Sequence, residues 1–146
     1  MKNIKHIWSV LCSNSSIDQT SNTVSLFNII EELEVQVPAS VQKTKEPINL
    51  GFNFDLVTLW KREGGILAYD QKVELLSPNM DSLSMIEAPV NFTDKSKRAR
   101  INLKIQGITL IGEGEYLFRV SVKEKSEKKF EFVHEVPFQV KIKSSD

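Results

Sequence analysis

Cysteine is nearly missing from this chain: Cys12 stands alone, which excludes an intrachain disulfide and a cysteine-based metal site. Histidine is almost as scarce, and no spacing among His6, His134 and Cys12 resembles a zinc ligand set. Neither sign of charge is in excess, since 19 Lys and Arg balance 19 Asp and Glu. A neutral chain has no bulk electrostatic hold on nucleic acid or on an anionic membrane, so neither partner is expected. Long hydrophobic runs are also lacking, and none nears the roughly 18 apolar residues of a membrane helix. Ile7-Trp8-Ser9-Val10-Leu11-Cys12, behind Lys2 and Lys5, imitates an export signal only faintly. It falls short of a signal core of about 7–15 residues, and Leu11 stands where a lipoprotein carries a small residue. The expected compartment is the cytoplasm, which makes the sequons Asn14-Ser15-Ser16 and Asn91-Phe92-Thr93 chance matches.

What the chain has in abundance is alternation. At 146 residues it is expected to form a single domain, 1–146, burying about two-thirds of its surface on folding. Ile48, Leu50, Phe52, Phe54, Leu56 and Trp60 share even positions, with Asn49, Gly51, Asn53 and Asp55 opposite. That is the period of a strand with one face on a core. Leu67, Tyr69, Val73 and Leu75 follow on odd positions after Glu63-Gly64-Gly65, and the two segments read as a hairpin. Ala99, Ile101, Leu103 and Ile105 alternate likewise, as do Tyr116, Phe118, Val120 and Val122. The closing strand sets Phe130, Phe132, Val136, Phe138, Val140 and Ile142 on one side with His134. Pro137 on its other side cannot donate to a ladder, so that strand is an edge there, or bulged or broken. Ser84–Phe92 is a weaker strand with Ile86, Val90 and Phe92 on one face.

At the start, Ile4, His6, Trp8, Val10 and Cys12 fall on one face and Ile7 and Leu11 on the other. Ser13–Thr23 is rich in turn formers and reads as a loop. Val24–Val37 fits either a helix stripe or strand; its β-branched and aromatic residues tilt the reading to strand. Eight or nine short strands predict an all-β protein: an antiparallel β-sandwich, with a C2-like sandwich or an open barrel as alternatives. The charged stretch Lys123–Lys129 reads as the hairpin tip between the last two strands.

Gly112-Glu113-Gly114-Glu115-Tyr116 and the strand after it resemble the penultimate strand of an immunoglobulin-like sandwich. The resemblance implies a tyrosine hydroxyl returning to the corner before its strand. The whole chain also resembles a family of small, uncharacterised bacterial all-β proteins, described as a domain of unknown function. Trp8–Cys12, the polar loop with Asp18 and Val24-Ser25-Leu26-Phe27-Asn28-Ile29-Ile30 carry one half of that likeness. Gly114-Glu115-Tyr116 and Val136-Pro137-Phe138-Gln139-Val140 carry the other. It implies a bacterial sandwich and brings no activity.

Chemistry is thin. His6 and Cys12 are six residues apart on a strand, about 20 Å, and cannot meet as base and nucleophile. His6 and His134, if folding joined them, would be a metal pair in search of a third ligand. Asn79, Asp81, Asn91 and Asp94 read as turn formers rather than a calcium site. The chain carries no phosphate-binding glycine loop and no nucleophile elbow. No catalytic, metal or cofactor residue is therefore assigned, and Trp8, Trp60 and Tyr69 are read as packing rather than a sugar platform. Lys95, Lys97, Arg98, Arg100 and Lys104 form the densest basic run. Arg98, Arg100 and Lys104 would point one way from a strand and are the candidates to contact an anion or an acidic partner. The expected function is a non-catalytic protein-interaction or scaffold module, binding a protein partner or itself through loops or a sheet edge. A small-ligand or enzymatic pocket built from distant strands is one alternative. A structural subunit of a larger phage-like or secretion assembly is the other.

Overall fold

The alternating segments become nine strands in a computed structural model that describes residues 3–40 and 46–145. They are β1 (Ile4–Ile17), β2 (Val24–Ile29), β3 (Glu32–Val37), β4 (Ile48–Arg62), β5 (Ala68–Leu76), β6 (Ser82–Asn91), β7 (Arg98–Leu110), β8 (Gly114–Glu124) and β9 (Glu131–Ser144). Sheet A runs β2-β1-β4-β7 and sheet B runs β3-β9-β8-β5-β6. The orders β1-β4-β7 and β9-β8-β5 match the A-B-E and G-F-C orders of an immunoglobulin-like sandwich, with β6 in the added C′ position. Between the sheets lie Leu11, Phe54, Leu56, Trp60, Tyr69, Val73, Val90, Leu110, Tyr116, Phe118 and Phe138, all buried in one cluster.

Several expectations are corrected. Gly64-Gly65 does not close a hairpin: β4 lies in sheet A and β5 in sheet B. The connection crosses the roughly 10 Å between layers, and Trp60 Nε1 meets Gln71 Oε1 across the core at 2.7 Å. Val24–Val37 is strand, as the β-branched residues indicate, but it breaks after Ile29 and its halves join different sheets. β3 then runs parallel to β9, with Leu33 opposite Val140 and Val35 opposite Ile142, so the sandwich is not wholly antiparallel. Much of the supposed loop Ser13–Thr23 is ladder, since Asn14 to Ile17 pair with Phe27 to Val24. Only the reversal after Ile17 is a turn, in which Asp18 Oδ1 accepts from the Thr20 and Ser21 amides.

Three single-residue irregularities invert faces that strict alternation assigns. In β1 the pairing steps from His6–Trp60 to Trp8–Leu59, leaving Ile7 as the extra residue. His6 therefore stays on the core side with Ile4, while Trp8, Val10 and Cys12 turn to the far side of sheet A. In β4, Gly51 and Phe52 together face Gly107, whose φ of 78° suits glycine, and Phe52 is left 57% exposed. In β9, Val133 is extra opposite Val120–Ser121. Phe132 turns outward over Arg119, and Phe130 packs beneath Lys72 and Lys123. Pro137 sits where, among the described residues, β8 is the only partner of β9, because β3 joins the ladder from Gln139 onward. It is an edge position, as a residue without an N–H requires.

Candidate functional site

Cys12 and Val57 are fully buried, yet they lie outside the central cluster, on the outer face of sheet A. What covers them is the end of β1 itself. Beyond Cys12 the β1–β2 hairpin leaves the β4 ladder and folds back over that face. Ser15 Oγ donates to Asp55 Oδ2 at 2.7 Å and accepts from Asn102 Nδ2 at 2.8 Å. At the hairpin tip, Arg100 Nη2 donates to the Asn22 carbonyl and to Asn22 Oδ1, at 3.3 and 3.0 Å. Asn22 has a φ of 57°, which asparagine tolerates better than most residues.

A cleft of about 650 Å³ opens between this tip and the 93–97 loop, lined by Ile17, Asn22, Leu59, Lys95, Ser96, Lys97, Arg98 and Arg100. The loop is shaped by Arg62, whose guanidinium donates to the carbonyls of Ser96, Gly64, Thr93 and Asp94 at 2.9–3.2 Å. A planar fork satisfying several carbonyls is a task for arginine rather than lysine. Ser96 Oγ, accepting from the Arg98 amide, fixes the entry into β7. Lys95, Lys97 and Arg98 are exposed, and among the described residues none of them has an ion pair. Arg100 is held by the hairpin, and its Nε is buried without a partner.

Of the expected anion contacts, the fold thus gathers Arg98 and Arg100 and removes Lys104. Lys104 lies on the same outer face, but its Nζ is 2.8 Å from Asp55 Oδ2 and so already has its anion. Burial alone raises the Asp55 carboxyl; hydrogen bonds from Lys104 and Ser15 outweigh it and hold the group below its ordinary range. The sequence reading missed Asn22, Ile17 and Leu59, which come from other strands, and Arg62, whose role shows only in its bonds. The run Lys95–Arg100 itself was the signal that pointed to the place.

The other candidates resolve differently. Folding does bring His6 and His134 together, as rings stacked 4.4 Å apart across the two sheets. Among the described residues no group of three or more His, Cys, Asp or Glu is placed to hold a metal. His6 Nε2 instead meets Ser9 Oγ at 2.7 Å, and Ser9 meets Thr58 Oγ1 at 2.8 Å. Burial, and then the charge of His134, lower the His6 pKa from 6.5 to about 4. The unfolded chain takes up this proton as pH falls below 6.5, whereas the folded chain does so only near 4. Stability therefore falls as pH is lowered through that window. For a half-buried ring the loss should be about 2 kcal/mol, and His6→Gln should largely flatten it. Urea midpoints at pH 6.5 and 4.5 would measure both.

Cys12, on the opposite face of sheet A from His6, places its Sγ 3.6 Å from the Asp55 carbonyl. Burial chiefly, and then the Asp55 charge, push its thiol up, away from thiolate reactivity. Among the described residues no helix is long and apolar enough to cross a membrane. Comparison with models of protein families and with curated proteins gave no match.

Proposed function

We propose that this domain is a non-catalytic interaction module that takes an anionic partner at the cleft beside the β1–β2 hairpin. The supporting observation is Lys95, Lys97 and Arg98 around one cleft, with no ion pair to any of them among the described residues. Elsewhere acids and bases meet in pairs, as in Glu32–Lys141, Glu34–Lys143, Arg119–Glu135 and Asp70 with Lys123 and Lys125. Cations held close together and unpaired repel one another, and a bound anion would relieve that repulsion. Loops on a rigid sandwich are a usual location for recognition. A cytoplasmic setting belongs to the same proposal, since a single unpaired thiol suits a reducing compartment.

Titration with short poly-L-glutamate, followed residue by residue by NMR, tests this reading. Shifts should centre on Lys95–Arg100 and weaken steeply as salt rises from about 0.05 to 0.2 M. Lys95→Glu with Lys97→Glu should reduce affinity about tenfold or more. Arg62→Lys keeps the charge and loses the fork, so a freer loop should bind about threefold more weakly. Binding indifferent to the charge reversals, or none at low salt, would overturn the proposal.

A further inference from the structure

The strand register carries the basic surface well beyond the cleft. Lys5 of β1 lies opposite Lys61 of β4, and Lys61 lies opposite Arg98 of β7. Their chain neighbours Ile4 and Trp60 are buried in the core, so this row faces outward from sheet A. Strands are about 4.8 Å apart, and like charges directly opposite one another destabilise a sheet. Three cations in one row, with no ion pair to any of them among the described residues, are a standing cost to the fold. Glu63 and Asp94, the carboxylates nearest to Lys61 and Arg98 in sequence, form no ion pair with any of them among the described residues.

The next outward row holds Trp8, Leu59 and Arg100. Trp8 and Leu59 are half-buried, and Ile17 from the hairpin is 45% exposed beside Leu59 in the cleft. The face therefore carries a cation row, then an apolar strip, with Lys95 and Lys97 at one end.

We infer that this face binds an extended acidic peptide in which Asp or Glu alternates with apolar residues. The inference rests on the cleft reading above and names its ligand. Alternate side chains of an extended peptide lie on opposite sides, about 6.6 Å apart along each side. One side then supplies carboxylates to Lys5, Lys61 and Arg98, and the other lays apolar groups on Leu59, Ile17 and Trp8. A single phosphate is too small to span a row about 10 Å long. A nucleic acid strand calls for several aromatic faces to stack upon, and among the described residues these two rows offer Trp8 alone. A second copy of the chain is a poor occupant: its alternating acidic strand β3 already gives Glu32 and Glu34 to Lys141 and Lys143.

Tryptophan fluorescence provides the test, because Trp60 is fully buried while Trp8 lies in the proposed site. A short peptide alternating Glu and Leu should shift the emission, and Trp8→Phe should abolish that shift. This peptide should bind more tightly than poly-L-glutamate, oligo-deoxythymidine or inorganic phosphate. Lys5→Gln with Lys61→Gln should weaken it about tenfold while raising the urea midpoint slightly, since the change relieves the like-charge row. Peptide affinity within twofold of the parent in that double variant would overturn the inference. The cleft reading would survive if Lys95→Glu with Lys97→Glu still weakened poly-L-glutamate binding about tenfold or more. Tighter binding of oligo-deoxythymidine, or full competition by phosphate, would overturn the peptide assignment and leave an anion site of another kind.

Discussion

Asp55→Ala is expected to cost about 3 kcal/mol and to loosen the β1–β2 hairpin before the rest of the sandwich. The carboxylate is 5% exposed, and its Oδ2 collects both Lys104 and Ser15. Through Ser15 it also reaches Asn102, so one side chain ties the hairpin to β4 and β7. Lys104 is 61% exposed and can return to water, which keeps the cost at the lower end for a broken buried pair. Asp55→Asn preserves the shape and should lose about half as much. The group's pKa is depressed in the fold, so its contribution is full above the ordinary carboxylate range and fades as pH falls below it. That window lies below the one in which His6 acts, and urea midpoints across pH separate them.

The lone thiol gives a direct reading of the hairpin. Cys12 is fully buried beneath it, so alkylation of the folded protein requires local opening. If Asp55→Ala removes about 2 kcal/mol from hairpin closure, the labelling rate should rise roughly thirtyfold. A rate that tracks only the global loss of stability would show that the hairpin does not open on its own.

Strands were legible because alternation is a local property, and the alternating runs from Ala99 to Ile105 and from Tyr116 to Val122 fall within β7 and β8. Bulges were not legible, because one extra residue leaves the pattern of residue types intact while reversing the face. Ile4, His6, Trp8, Val10 and Cys12 alternate cleanly in sequence, yet Ile7 divides them between the core and the outer face. The candidate site was legible only as the run Lys95–Lys104. Neutralisation of Lys104 by Asp55 joins residues 49 apart, and alignment of Lys5, Lys61 and Arg98 depends on register across three strands. Neither can be read without knowing which strands are neighbours. The corner before Gly114–Glu124 was readable for the opposite reason, since its bonds span only a few residues.

That corner carries the second large effect: Tyr116→Phe should lower stability by about 2–3 kcal/mol. The Tyr116 hydroxyl donates to the Gly112 carbonyl at 2.7 Å and accepts from the Ile111 amide at 2.7 Å. Both partners lie in the turn that carries the chain from sheet A to sheet B, where Gly112 takes a φ of 74°. Phenylalanine would keep the ring stacked 5.7 Å from Phe138 and lose only the oxygen, stranding a donor and an acceptor. Tyr69 supplies the comparison: it is equally buried, but among the described residues its hydroxyl makes one bond, to the Asn3 carbonyl at 3.2 Å. Tyr69→Phe should therefore cost about 1 kcal/mol or less, measured by urea midpoint at constant slope. Equal losses in the two variants would mean that the ring environment, not the corner bonds, sets the effect. Because Tyr116 lies far from the hairpin anchors, its loss should leave the native-state labelling of Cys12 unchanged. Paired with Asp55→Ala, which should raise that labelling, it separates the stability of the sandwich from that of the hairpin beside the cleft.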